Sequence, residues 1–415
     1  MITQAMRDHK VNVRYKVDNL DILFSDGSTE KIQPGMVTHL YIEKDYDHLY
    51  FPIMNISVVM DDMVYNRIHG ENETVKFRLR INRILYDTNN KYLKYEEYCN
   101  DTFICFLNKE VIVKDKESVE DKKNTERSQN TQNTRSNTRN FYLFKDDVIK
   151  CKKTLNLSVS SSSLPDLVIY MFNTIGVQKL LMSKPNNLSN ISNILIPTGN
   201  VIECIRYLDE VKGFFNKGLV LFFDIDTAYF IDNSSRCSAW RKNEVRMTHM
   251  HISNQKNADS QLTGVYIDND RKSAHIFANT ERVKITNSNL LNDQLNGNNI
   301  TIINNKSNKV TTVNEKTTQI GSSNKIVLEA KENNNYTIEA MKYRMKENEC
   351  NLEIAFIGID LNTLNPNKEF LLTYDDSVLN KKYGGNYRIS KYIAALKKDG
   401  EELVGEIDCL FKKQD

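Results

Sequence analysis

Apolar and charged residues take turns along residues 75–84. Val75, Phe77, Leu79 and Ile81 share one side, and Lys76, Arg78, Arg80 and Asn82 share the other. A period of two predicts a strand with one buried and one wet face. Residues 11–25 alternate more loosely and stop at Asp26-Gly27, a hairpin-type turn. Residues 37–42, 53–60, 103–113, 141–143 and 148–159 also have strand composition. Residues 63–68 read as a brief helical or extended piece before Gly70. The early chain is therefore expected to be mostly antiparallel β.

The period lengthens after Ser163. Leu164, Leu167, Val168, Met171, Phe172 and Ile175 recur at helical spacing, with Ser163 as cap, Pro165 in the first turn, Asp166 returning a bond and Gly176 as stop. Val177, Leu180 and Leu181 form a second short apolar set, and residues 194–197 lead into one compact unit at 198–233. In that unit Val201, Ile202, Ile205, Leu208 and Val211 predict a helix capped by Thr198 or Asn200. Two apolar strands follow, 219–223 and 227–231, split by Asp224 and Asp226. Strand composition returns at 325–330, 336–344, 352–359, 370–374 and 387–395. The chain closes in a hairpin about Asp399-Gly400, where Leu403, Gly405, Ile407, Cys409 and Phe411 alternate with Val404, Glu406, Asp408 and Leu410.

Two polar tracts interrupt this pattern. Residues 114–140 hold one Val and no aromatic, too little to offset the entropy of ordering, and are expected to be a disordered insertion. Residues 254–324 are rich in Asn but keep short β-favouring pieces, expected as wet hairpins projecting from a body. The chain thus divides into a β-rich domain at 1–160, a small α/β domain at 161–237 and a second β-rich domain at 238–415. The fold class is mainly β with a small α/β module.

Composition narrows the function. The 415 residues suffice for two or three cores, and 56 basic against 54 acidic groups leave a formal charge of +2, which disfavours a dedicated nucleic-acid binder. With 6 Pro and 15 Gly there is no long linker of either type. The 7 scattered cysteines, without a short paired spacing, read as free thiols of a chain made in reducing cytoplasm. No apolar run suggests a membrane span or an export signal.

Chemistry-bearing groups are few. Asp224 and Asp226 would share a strand face near Asp232, as paired carboxylates for glycoside hydrolysis or Mg²⁺ binding require; acidic residues at a hairpin bend are the simpler reading. His249 and His251 form a His-x-His pair, short of a full metal-ligand set. Residues 161–163 precede a helix without a nucleophile elbow, and phosphate-loop, dinucleotide and zinc-protease motifs are missing. No catalytic residue, metal or cofactor is assigned. The 20 Tyr and 17 Phe, beside the single Trp240, suit sheet cores and interfaces.

Two segments resemble the tail hub proteins in the baseplates of tailed bacteriophages and related contractile machines. Residues 38–84 look like their opening: an early strand, the acidic-aromatic pair Asp45 and Tyr46, Phe51-Pro52 before the next strand, and a long strand carrying Phe77 and Leu79. The unit with Tyr207, Leu208, Gly213, Phe214, Phe222, Asp224, Tyr229 and Ile231 is similar to the small domain between two barrels of such hubs. The last hairpin is similar to the closing strands of the second barrel. The insertions at 114–140 and from 254 depart from the pattern.

The resemblance implies two tube-like antiparallel β-barrel domains per chain and a homotrimer on the tail axis. It implies contacts with the tail tube or its initiator, with the central spike or tip, and with other baseplate proteins. Lys76, Arg78 and Arg80 would face a channel or a neighbour, past which DNA moves without sequence readout. The site of action is the virion baseplate, assembled in the host cytoplasm. The alternatives are a peripheral baseplate or wedge component and a carbohydrate-active or host-binding tail protein.

Overall fold

The computed structural model describes residues 12–71, 74–86, 91–107, 137–224, 227–233, 246–252, 265–269, 276–287, 299–304, 309–314, 325–330, 336, 340, 350–366, 368–374 and 376–414. The early part contains strands β1 (Asn12–Leu23), β2 (Thr29–Ile32), β3 (Val37–Asp45), β4 (Ile53–Met60), β5 (Lys76–Tyr86), β6 (Tyr92–Leu107) and β7 (Asn137–Phe144). Helix α1 (Asp62–Gly70) stands between β4 and β5, its first turn capped by the Asp61 side chain. The short helix α2 (Asp147–Cys151) follows β7.

The mixed region contains β8 (Thr154–Ser163), α3 (Leu164–Ile175), β9 (Leu180–Met182), β10 (Asn190–Asn200), α4 (Val201–Val211), β11 (Leu219–Asp224) and β12 (Thr227–Asp232). Beyond it lie β13 (Arg246–Ile252), β14 (Val265–Asn269), β15 (Ile276–Asn287), β16 (Asn299–Asn304), β17 (Lys309–Asn314), β18 (Lys325–Ala330) and β19 (Cys350–Ile357). The chain ends with β20 (Lys368–Tyr374), α5 (Ser377–Tyr383), β21 (Gly385–Asp399) and β22 (Glu402–Lys413).

Fourteen strands join one sheet. Its pairings trace two closed circuits. The first runs β1–β5–β6–β7–β4–β3–β21–β22 and returns to β1 through one register pair, Tyr15 with Leu403. The second runs β22–β19–β15–β14–β13–β20–β21 and closes on the same hairpin. β21 meets β20 over its first residues and β3 over its later ones, so the hairpin passes from one circuit into the other along its length. Apart from this hairpin, the strands of the first circuit lie within residues 12–144 and those of the second within 246–374. The two strands that bind them come from the C-terminus.

Period-two alternation explains which side each strand buries. Phe77, Leu79 and Ile81 of β5, and Leu403, Ile407, Cys409 and Phe411 of β22, enter one core that extends through both circuits. A second core belongs to the mixed region, where α3 and α4 pack with β8 to β12. Both helices are set by their caps: the Ser163 side chain accepts from the Asp166 N–H, and Asn200 forms a capping box with Glu203. Gly176 ends α3 at φ 88°, the left-handed conformation a helix stop favours.

Several expectations change. Residues 148–159, read as strand, begin as α2 and become strand only from Thr154, because the polar run 145–147 opens a helical turn. The segment given as disordered at 114–140 ends earlier: from Asn137 the chain pairs with β4 and forms β7. Residues 114–136 lie outside the described residues. The Asn-rich stretch, expected as projecting hairpins, is in part built into the body. β14 and β15 belong to the main sheet, while β16, β17 and β18 form a three-stranded sheet of their own. Most of 336–344, and also residues 108–113, Asp226, Cys237 and Trp240, lie outside the described residues.

Candidate functional site

Part of the set singled out for its resemblance to hubs, Asp45, Tyr46, Phe51, Pro52, Phe222, Asp224, Tyr229 and Ile231, meets at a joint between the two cores. β11 and β12 form a hairpin with both faces buried. Val220, Phe222, Tyr229 and Ile231 enter the core of the large sheet, while Phe223, Ala228 and Phe230 enter the core of the mixed region. Two buried faces explain the near-continuous apolar composition that the sequence shows there.

The connection between β3 and β4 grips this hairpin. Asp45 shapes it by accepting from the backbone N–H groups of Asp47 at 3.0 Å and His48 at 2.9 Å. Tyr46 sets its ring edge-on to Phe222, with centroids 5.0 Å apart. Phe51 stacks on Phe223 at 4.6 Å, and the Phe223 N–H donates to the Tyr50 carbonyl at 2.7 Å. Asp47 meets Arg388 at 3.2 Å and Lys412 at 3.1 Å and accepts from the Ser390 hydroxyl, tying the same connection to the shared hairpin.

Asp224, itself buried, ends β11 in an ion pair with the partly buried Lys44, 2.6 Å away. Burial disfavours the Lys44 charge, yet Asp224 and the neighbouring tyrosines outweigh it and hold the ammonium above the ordinary lysine value. Burial also pushes the Tyr46, Tyr98 and Tyr392 hydroxyls well above the usual tyrosine range. A cavity of about 350 Å³ adjoins the pair, bounded by Phe51, Pro52, Met54, Tyr98 and Leu143 among others. Asp224 is thus committed to a structural cation. The catalytic reading of Asp224 with Asp226 finds no support in this placement.

The remaining marked residues fall in two places. Leu208 and Phe214 are buried in the mixed core, where Phe214 meets Phe230 edge-on at 4.9 Å. Tyr207 packs partly buried beside them, and Gly213 turns out of α4 at φ 69°. Lys76, Arg78 and Arg80 stand on the wet face of β5. Arg78 reaches Asp21 of β1 at 3.0 Å and Arg80 reaches Glu97 of β6 at 3.2 Å, so carboxylates from both neighbouring strands soften the stripe. Sequence reasoning missed Lys44, Asp47, Arg388 and Lys412. Asp47 and Arg388 stand 341 positions apart, and no local pattern links them. Among the described residues no group of three or more potential ligands could hold a metal. No helix among them is long and apolar enough to cross a membrane.

A family model described as bacteriophage PBS1 gene 109 protein matches residues 6–414. The chain belongs to that family. Among solved structures, the tail protein from Neisseria meningitidis MC58 superposes with a TM-score of 0.51 at 10% identity, covering 97% of each chain. A prophage MuSo2 43 kDa tail protein from Shewanella oneidensis gives 0.48 at 10% identity over 94% of this chain and 98% of that one. No curated protein matches. At this identity the first likeness is one of fold, and it spans essentially the whole gene 109-family chain. It agrees with the hub resemblance drawn from residues 38–84 and from the α/β unit.

Proposed function

We propose that this gene 109-family chain is a structural hub protein of a phage tail baseplate, acting as a homotrimer on the tail axis. The bacteriophage family and the tail-protein fold support a structural role in the tail. The axial role rests on one observation: the β21–β22 hairpin belongs to both strand circuits. We read the circuits as two tube-like β-barrels. A shared hairpin fixes their spacing by continuous strands and not by a linker, as a ring built of repeated tubes requires.

Three such chains place six tubes about the axis with closed symmetry, which also covers exposed strand edges. The tail tube or its initiator sits on one side, the spike or tip on the other, and further baseplate proteins surround the ring. DNA crosses the channel without sequence readout. A basic stripe on β5 that is partly neutralised by Asp21 and Glu97 suits passage better than capture. Assembly takes place in the host cytoplasm.

Native mass measurement tests the reading. The expected species is three copies of the 48.2 kDa chain, either alone or with its tube partner. A chain that stays monomeric under both conditions belongs to a peripheral component instead.

A further inference from the structure

β6 is paired unevenly. It follows β5 from Tyr92 to Ile104, but it meets β7 only from Ile104 to Leu107. Among the described residues, 92–103 have a strand partner on one side only. An open edge is a template for another strand, because its outward N–H and C=O groups lack ladder partners. The same stretch exposes Tyr92, Leu93 and Tyr95, whose apolar surface an added strand would cover. The register skips one residue between Ile81 and Asn82, leaving Tyr98 unmatched at a bulge in this edge.

At the bulge the edge borders the cavity beside the joint. Its walls include Met54, Phe103, Leu143, Leu361 and Leu364. A volume of about 350 Å³ accepts one large apolar side chain. The charged groups there are already matched: Lys44 with Asp224, Lys145 with Asp101 at 2.6 Å, Lys150 with Asp147 at 3.1 Å and Arg80 with Glu97. Nothing in the slot calls for a counter-charge. Phosphate or a highly charged peptide would gain no new partner, whereas an uncharged strand leaves every pair intact.

We infer that the slot docks an extended, uncharged segment of a partner protein, added as a strand to the open edge of β6 with one apolar side chain seated in the cavity. Main-chain bonds to residues 92–103 give the affinity, and the cavity gives the register. The inference does not require the trimer.

The test uses the full chain and a short synthetic peptide of alternating threonine and serine with one central phenylalanine. Hydrogen exchange is followed with and without peptide, and binding of the labelled peptide is followed by anisotropy. At saturation the amides of residues 92–103 should slow by on the order of tenfold. Replacing the peptide's phenylalanine by glycine should weaken binding by about tenfold, as should Met54→Trp, which fills the cavity. The peptide change leaves the protein untouched, so a misfolded variant cannot decide the result. Unchanged exchange at 92–103, or equal binding without the anchor, overturns the inference. So does protection already present in the free chain, since a segment of the chain itself would then cover the edge.

Discussion

Lys44 Nζ and Asp224 Oδ1 meet at 2.6 Å, at the point where the strand from the large sheet passes the hairpin of the mixed region. Each residue lies next to the aromatic contacts of the joint, so the pair fixes one core against the other. Removing one partner strands the other charge in a buried setting. Asp224→Asn or Lys44→Met should cost about 3 kcal/mol each. Replacing both at once should recover most of that loss. Urea titration of the two single variants and the double variant measures the coupling.

Alkali should weaken the same joint. The folded-state values of Lys44, Tyr46, Tyr98 and Tyr392 all lie above their ordinary ones. A raised value means that stability is complete below the unfolded-state value and falls as pH rises toward the folded one. Stability from these groups should hold through neutral pH and drop above about pH 10, where free tyrosine and lysine lose their protons. Thermal melts across pH 7 to about 11 check this, and Lys44→Met should make the decline shallower.

Phe223 belongs to the mixed core, yet it stacks on Phe51 of the β3–β4 connection. Phe223→Ala removes that stack and leaves a cavity, at a cost of about 3 to 5 kcal/mol. Because the contact joins the two cores, limited proteolysis of the variant should cut between them sooner than in the parent chain.

Gly405 tests the shared hairpin. It lies opposite Leu396, and a Cβ there would stand 1.9 Å from the Ala395 carbonyl oxygen. Backbone cannot yield as a flexible side chain does, so Gly405→Ala should destabilise by about 2 kcal/mol or more. Chemical denaturation reads the loss. Asn200→Ala, which opens the capping box of α4, should cost only about 1 kcal/mol by the same assay.

Local structure was legible where a period or a cap carries it. The alternation of β5, the capped start of α3 at Ser163, and the turn at Asp399-Gly400 before β22 all correspond to structure at those positions. Strand order was not. The contact of Tyr15 with Leu403 and the ion pair of Asp47 with Arg388 join opposite ends of the chain, and neither depends on a neighbouring residue's type. The β11–β12 hairpin was readable as strands, but its role as a wall between two cores needed the packing on both faces. Asp224 was readable as an acidic residue at a hairpin bend, but its cation, Lys44, lies 180 residues away and no local pattern pointed to it.

Averaged electron cryo-microscopy of the assembled particle tests the central proposal most directly. The account predicts three copies of this chain around the tail axis, each contributing two adjoining β-tubes held by one continuous hairpin. Density that places the chain off the axis, or in a number that does not close a three-fold ring, would contradict it.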